Sequence, residues 1–234
     1  KYGQTSDTEI WNGQVVSKSR DHGFYIETYQ CNCRETCSGS GENRTCTETC
    51  DTCLRNHYTV TWSAVTTVGN VTFAHLDSLS SAVYLSPDPA LYRKCVPKEP
   101  AAMEHSYTNY VKAVPESLFN ENRELAASFK DRIPRYPRVY DFYRLNRVID
   151  VGAGLPEQTR AALSDGLSNE LRMLGPAKEV NVIVIVTSIA DPSYRHAVEN
   201  AWVGGKKNDV VIFLGVREDG AIAWVDVMTW ALNS

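Results

Sequence analysis

The chain has 234 residues, 43% of them hydrophobic and 22% charged, which predicts a folded globular protein of one or two domains with a substantial core. The formal net charge is −4 and acids and bases are interspersed, so no basic field exists to hold a phosphate backbone and we expect no nucleic-acid partner. The most apolar stretch, VNVIVIVTSIA at 180–190, is too short for the roughly 20 residues of a spanning helix. We therefore expect no membrane span in this chain.

The first predicted elements are β-strands. The stretches GQVVSKS, GFYIETYQ, NHYTVTWSAVTTV and NVTFAHL are rich in Val, Thr, Tyr and Phe, with a period near two and breaks at Gly and Asn. We predict a β-rich module over 1–100 that ends in a loop containing four prolines. Within it, two paired strands at 23–31 and 53–62 would continue into a cysteine-rich hairpin.

Six of the seven cysteines lie in this hairpin, between Cys31 and Cys53. If the segment folds back at SGSGENR, the position numbers of facing cysteines add to a nearly constant total, as in an antiparallel pair of strands. Facing positions are close enough for disulfides, which predicts the nested pairs Cys31–Cys53, Cys33–Cys50 and Cys37–Cys46. Disulfides persist in oxidising compartments, so this interpretation places the protein outside the cytoplasm.

A zinc site is the alternative interpretation of the same cysteines. Paired short spacings are typical of zinc, and Cys33, Cys37, Cys50 and Cys53 could form a four-thiolate site. We prefer disulfides because only they use all six cysteines. The seventh, Cys95, is interpreted as a buried or unpaired thiol.

The hairpin tip is the predicted interaction site, because loops held on a rigid scaffold commonly carry binding residues. The tip consists of Ser38, Gly39, Ser40, Gly41, Glu42, Asn43 and Arg44.

After the β-rich module, residues 101–138 are predicted to be a helical connection and a linker. The spacing of Tyr107, Tyr110, Val111 and Val114 is typical of a helix, and a second helix follows Pro115. The stretch IPRYPR at 133–138 is the predicted linker.

Residues 139–234 are predicted to form a three-layer α/β sandwich, so that the whole chain is α+β. Alternating strand and helix patterns support this architecture. One amphipathic helix carries Leu163, Leu167, Leu171 and Leu174 on one face, and EVNVIVIVT has the pattern of a central strand. A second helix follows Asp191 and Pro192 and carries Tyr194, Val198 and Trp202, before the last two strands, NDVVIFLGV and AIAWVDVMTW.

Three stretches of this region, VIDVGAGLPEQTRAAL, VNVIVIVTSIADPSYRHAVENAW and WVGGKKNDVVIFLGV, resemble the TPM domain family of thylakoid-lumen and bacterial periplasmic proteins over about 148–216. The Gly/Lys/Asp turn is shorter here, and AIAWVDVMTW replaces the glycine-rich stretch of that family. The resemblance implies a phosphatase-like hydrolase or a divalent-cation site. The N-terminal region is loosely similar to uncharacterised phage and bacterial envelope proteins. The positions that match the family are Asp150, Trp202, Gly204, Lys206, Asn208 and Asp209.

The predicted metal ligands are Asp150, Asn208 and Asp209. Ligands of open α/β sheets usually bind at the carboxyl ends of the strands, and these oxygens suit calcium or magnesium. The alternative is that both aspartates cap turns, as Asp beside Gly and Asn commonly does. Since the acids fall short of the six oxygens that calcium needs, we expect no resident cofactor, with calcium or magnesium as the exception.

Two function classes remain from the sequence. The chain has no G-x-S-x-G and no H-E-x-x-H motif, so the catalytic residues are unknown. We expect a non-enzymatic, extracytoplasmic module of the periplasm, cell envelope or virion that binds a protein or an envelope surface. We expect it to be part of a larger or membrane-tethered protein. The alternative is a metal-dependent, acid-phosphatase-like hydrolase that uses Asp150 and Asp209.

Overall fold

A computed structural model describes residues 2–41, 44–112, 128–202 and 206–229, without the side chains of 2–7, 107 and 109–112. The fold is mixed α+β, with a β-rich N-terminal region that contains three disulfides. No helix in the described ranges is long and apolar enough to cross a membrane.

The strands form three sheets. The first has the order β3-β2-β1-β4, the second has the order β10-β9-β8-β7, and the third pairs β5 with β6. The strands are β1 Tyr2–Ser38, β2 Thr45–Thr66, β3 Gly69–Ser78, β4 Pro100–Lys112, β5 Val139–Tyr140, β6 Arg144–Leu145, β7 Val148–Val151, β8 Asn181–Thr187, β9 Asp209–Val216 and β10 Ile222–Thr229. The helices are α1 Ala90–Lys94, α2 Glu157–Lys178 and α3 Tyr194–Ala201, with short 3-10 helices at Ser81–Leu85 and Lys130–Arg132.

The chain divides into two compact units. The ribbon unit contains residues 18–64 and 72–94, and the α/β unit contains 1–17, 65–71 and 95–234. This partition differs from the predicted segments 1–100, 101–138 and 139–234, because neither unit is one continuous stretch of chain.

The ribbon unit has a small core on β2. Val60 and Trp62 are fully buried and pack with Tyr92 of α1. The indole Nε1 of Trp62 donates a hydrogen bond of 2.8 Å to Asp88 Oδ1, so the polar edge of this buried ring is satisfied. The partly buried side chains around this core are Phe73, Ala74, Val83 and Tyr84.

The core of the α/β unit lies on one face of the second sheet. Strands β7, β8 and β9 are parallel, and β10 is antiparallel to β9. Ile183, Ile185, Val211 and Phe213 alternate along β8 and β9, so they face the same side and pack with other buried side chains of the unit. Each contributes about 1.5–3 kcal/mol by burial. Tyr194 and Val198 of α3, together with Ile189 and Met228, complete this core.

Strand β4 corrects the predicted helical connection. Residues 100–112 pair antiparallel with β1, from Gln14 opposite Pro100 to Tyr2 opposite Lys112. Tyr, Thr and Val suit a strand, and the long β1 supplies a partner for the backbone hydrogen bonds, which outweighs a helical side-chain spacing. The second predicted helix lies almost entirely at 113–127, outside the described residues. In the predicted linker, Ile133 and Tyr136 are partly buried and pack against the core.

The buried face of α2 also differs from the prediction. Leu171 is buried as expected, but Leu163 and Leu174 are exposed. The residues that share the buried face with Leu171 are Ser164 and Gly175. Ser164 lies on the buried face because its hydroxyl accepts a hydrogen bond from the backbone N–H of the buried Arg147. A pattern of leucines alone does not indicate such a face.

Candidate functional site

The predicted disulfide pairs are confirmed in residues 31–53, which we name the cystine ribbon. Cys31 bonds Cys53, Cys33 bonds Cys50 and Cys37 bonds Cys46, with Cα–Cα distances of 5.9, 4.0 and 4.0 Å. Each sulfur is therefore oxidised and cannot serve as the thiolate that zinc requires. Cys95 is buried and lies outside these three disulfides.

The ribbon is exposed along its length. Among its described residues, only the cysteines at 31, 37, 50 and 53 are partly buried, and the others are exposed. The predicted tip residues 38–41 and 44 are all exposed, and the turn includes a hydrogen bond of 3.3 Å from Arg44 N to Gly41 O. Glu42 and Asn43 lie outside the described residues. The ribbon buries too little apolar surface to be stable alone, so its disulfides hold its shape.

Beside the ribbon lies an exposed group of side chains that we name the apolar patch: Phe24, Ile26, Leu54 and Leu76. Phe24 contacts Tyr58, with ring centroids 5.4 Å apart. Leu54 and Tyr58 are separated from the core residues Val60 and Trp62 by even numbers of residues along β2, so Leu54 lies on the core-facing side of that strand. Leu54 is 68% exposed, which leaves this part of the sheet uncovered among the described residues.

A cluster of charged side chains surrounds His57 in the ribbon unit. The Nδ1 of His57 lies 2.7 Å from Asp77 Oδ1, and its Nε2 lies 3.0 Å from Glu27 Oε2. Tyr25 donates a 2.6 Å hydrogen bond to the other oxygen of Asp77 and stacks on the imidazole. Hydrogen bonds to Asp77 and then to Glu27 raise the pKa of His57, because both favour the imidazolium form. With both ring nitrogens engaged by carboxylates, His57 has no position for activating a nucleophile.

The structure does not bring the predicted metal ligands together. Asp150 lies near the carboxyl end of β7, opposite Val186 of β8, whereas Asp209 is the first residue of β9, opposite Asn181. Val186 and Asn181 are about 16 Å apart along the strand, at roughly 3.3 Å per residue. The expectation that both acids lie at the carboxyl ends is therefore wrong for Asp209.

Asp150 instead caps the turn after β7. Its Oδ1 accepts a hydrogen bond of 2.8 Å from the N–H of Ala153, and its Oδ2 accepts one of 2.9 Å from Leu155. Gly152 and Gly154, both with φ near +74°, give the turn its shape. This is the turn-capping role that the sequence left open as the alternative.

Asp209 belongs to a buried polar network. Its oxygens accept hydrogen bonds from Asn181 Nδ2 at 2.8 Å, from the Tyr136 hydroxyl at 3.0 and 3.1 Å, and from the backbone N–H of Lys206 at 2.7 Å. Burial raises the pKa of Asp209, while these hydrogen bonds lower it in part. Three protein donors thus occupy most of the about four acceptor positions of this carboxylate, which leaves little for a cation.

The same network holds Arg147, whose side chain is buried. It donates to Asn181 Oδ1 at 2.5 Å, to Ser168 Oγ at 3.1 Å, and to Asn12 Oδ1. Burial lowers the pKa of Arg147 to about 10, so it remains a cation at neutral pH. Asn181 thus lies between the buried cation and the buried carboxylate of Asp209. The sequence alone does not indicate this network, because its members come from distant stretches of chain.

Comparison with known proteins found no matching family model, no matching curated protein and no matching solved structure. The resemblance of 148–216 to TPM domains therefore stays a prediction.

Proposed function

We propose that this protein is a non-enzymatic, extracytoplasmic module that binds a protein partner through the cystine ribbon and the apolar patch. One observation carries the proposal: three disulfides hold a ribbon whose other described side chains are all exposed. Cross-links that support no core of their own serve to keep an exposed surface in one conformation.

A surface that disulfides hold in one conformation binds a partner more favourably than a flexible surface does. Ordering a loop and its side chains on binding costs free energy, and cross-links remove part of that cost before the partner arrives. The apolar patch adds the second component, because several large hydrophobic side chains exposed in one part of a surface are typical of interaction sites. Phe24 and Leu54 supply the type of apolar area that interface centres use.

The compartment follows from the same bonds. Three intrachain disulfides indicate an oxidising environment, outside the reducing cytosol. We place the protein in the periplasm, the cell envelope or a virion, in line with the loose similarity of its N-terminal region to envelope proteins.

For residues 139–234 we keep a three-layer, TPM-like α/β sandwich as a proposal. The parallel order of β7, β8 and β9, with α2 and α3 as connections, supports it. The hydrolase alternative has weaker support, since Asp150 caps a turn and Asp209 is buried with three protein donors on its oxygens.

The test is quantitative capture from the extracytoplasmic fraction of the source cells, analysed by mass spectrometry. The first variant replaces residues 38–44 with a short Gly/Ser turn, and the second carries Ile26→Thr, Leu54→Thr and Leu76→Thr. Threonine keeps the β propensity of exposed strand positions, and glycine and serine suit a turn, so both variants should fold. We expect each to lose at least about tenfold in recovery of the same partner protein, the equivalent of about 1.4 kcal/mol.

The matched control removes exposed apolar side chains elsewhere, by Leu163→Thr and Met173→Gln on α2. It should capture the partner as the unmodified chain does, and all variants should melt within a few degrees of one another. If no protein is recovered whose capture depends on both the tip and the patch, the proposed function is wrong.

A further inference from the structure

The α/β unit contains a cleft of about 260 Å³. We name it the Trp11 cleft and define it by Glu9, Trp11, Gly175, Glu179 and Asn208. It brings together β1, the end of α2 and the residue before β9. Its volume is below the roughly 300–1,000 Å³ of pockets for drug-sized ligands, so it suits a single side chain or a small molecule.

One wall of the cleft is aromatic. The indole of Trp11 stacks on His105, with centroids 4.0 Å apart and planes 21° from parallel. The Nε2 of His105 lies 2.8 Å from the carbonyl oxygen of Val68, and Trp11 Nε1 donates a 3.0 Å hydrogen bond to Glu9 Oε2. His105 covers one face of the indole, yet Trp11 remains 46% exposed. A ligand can therefore stack on a ring that is already held in place.

The polar groups of the cleft are predominantly acceptors. Glu9 and Glu179 both line it, and within the described chain the carboxylate of Glu179 makes no ion pair. Asn208 donates from Nδ2 to the carbonyl of Ile10 at 2.8 Å, while its Oδ1 is buried and accepts no hydrogen bond from the described residues. This buried carbonyl oxygen has no contact with the open cleft, but its dipole adds to the negative potential of the cleft wall.

The helix end adds to the negative potential. Helix α2 ends at Lys178, and the cap residue Glu179 has φ +52° and donates its N–H to Gly175 O at 2.7 Å. The carbonyl end of a helix carries about half a negative charge and favours cations. A cation of this chain is already near: Lys207 Nζ lies 3.8 Å from Glu9 Oε1, on a side chain that is 69% exposed.

From these features we infer that the Trp11 cleft binds an alkylammonium group, either a free small amine or the side chain of a lysine. The apolar stem stacks on Trp11, where a cation within about 6 Å of the ring centroid is attracted by the ring. The ammonium group donates hydrogen bonds to the carboxylates of Glu9 and Glu179, and the dipole of the Asn208 carbonyl adds attraction without direct contact. An anion would be repelled, and a neutral alcohol would lack the charge. This inference does not rest on the proposed function, since the ribbon unit supplies none of the cleft residues.

The experiment is an NMR titration of the full chain with n-butylammonium chloride at constant ionic strength. We expect saturable shifts of the Trp11 indole N–H and of the Asn208 side-chain amide, with a millimolar Kd. Assignment uses Trp11→Phe, because the chain has five tryptophans. Sodium butyrate and 1-butanol, of similar size, should give no saturable shift at the same concentrations.

Variants test the role of each group. Trp11→Leu should weaken binding about two- to fivefold, the usual range for an exposed cation–aromatic contact, as read from the amides of Val68 and Val180. The double variant Glu9→Gln with Glu179→Gln should abolish saturation. Lys207→Met should tighten binding, because it removes the competing cation. The matched control is Glu218→Gln, an exposed carboxylate in the turn before β10, which should bind as the unmodified chain does.

Two arms identify the source of the ammonium group. A capped Gly-Lys-Gly peptide that binds more tightly than butylammonium assigns the cleft to a lysine of a protein partner. Weaker binding of the peptide assigns it to a free amine. If butylammonium does not saturate, or if 1-butanol shifts the same signals equally, the inference is wrong.

Discussion

At the scale of single residues, two glycines of α2 have different surroundings. A Cβ added to Gly175 would lie 2.5 Å from Cβ of Asn12, whereas nothing lies within 4 Å of one added to Gly166. Gly175→Ala should therefore lower the free energy of unfolding by about 1–3 kcal/mol through overpacking. Gly166→Ala should raise it by about 0.5–1 kcal/mol, because alanine favours a helix. Urea denaturation of both variants measures the difference.

The two substitutions are chemically identical and lie in the same helix, so each serves as the other's control. Equal changes in the free energy of unfolding would show that the close approach of Gly175 to Asn12 is absent in solution.

His57 gives the ribbon unit a dependence on pH. Its two carboxylate partners raise its pKa above the ordinary 6.5 in the folded protein. A raised histidine pKa contributes stability that is fully present below pH 6.5 and is lost as the pH rises through the folded value. The melting temperature should fall across that interval, and an NMR titration of the His57 ring should show a midpoint above 6.5.

Two variants separate this contribution from other histidines. His57→Gln should remove most of the fall in melting temperature over that interval, because a glutamine side chain does not titrate. His196→Gln, on the exposed surface of α3, should leave it unchanged. A ring titration of His57 at or below 6.5 would contradict the cluster geometry.

Sequence distance explains which single residues could be predicted. The paired cysteines lie 22, 17 and 9 residues apart in one hairpin, so their spacing in the sequence is sufficient to predict the pairs. The hydrogen-bond partners of Asp209 include Tyr136, 73 residues away, and Asn181, 28 residues away. The residues next to Asp209 in sequence do not indicate those partners. The sequence alone therefore predicts a metal ligand at this position instead of a buried hydrogen-bonded carboxylate.

At the scale of elements, the cystine ribbon should depend on oxidation more than any other segment. Its described side chains are exposed apart from four partly buried cysteines, so loss of the cross-links removes most of what opposes chain entropy there. Hydrogen exchange with mass spectrometry should show faster exchange at 31–53 after reduction. Exchange at β8 and β9 should not change, because their protection comes from a buried core.

Strands β8 and β9 serve as the internal control in the same experiment. If residues 31–53 keep their protection after full reduction, side-chain packing rather than the disulfides holds the ribbon, and the argument from its exposure is wrong.

Elements were predicted well where side-chain period and burial agree. The strand NVIVIVT and the strand DVVIFLGV both have apolar residues facing the core at every second position, and both were found. Strand β4 is not predicted from the sequence because its side chains also fit a helical period. Its pairing with β1, which makes the segment a strand, involves residues nearly a hundred positions away.

For the whole molecule, the count of accessible thiols is a direct test. Alkylation of the native protein should label no cysteine, since six are in disulfides and Cys95 is buried. Denaturation without reduction should add one label, and reduction should bring the total to all seven cysteines of the chain. Intact mass measures each step, and two or more labels before reduction would contradict the disulfide assignment.

The division into units could not be predicted from the sequence. A change of composition identifies boundaries only when each domain is one stretch of chain, whereas here residues 65–71 belong with 1–17 and 95–234. Strands β1, β2 and β3 each supply residues to both units. No local signal in a strand indicates where it passes from one core to another.

The exposure of the cystine ribbon also bears on how this protein can change over evolutionary time. Where folding depends on six cysteines and a turn, the remaining positions of 31–53 can be exchanged with little penalty to the fold. Mutation can then alter the chemistry of the ribbon's surface while its backbone persists. A lineage carrying this architecture can therefore change the chemistry of an exposed surface by substitution alone, while its buried cores stay the same.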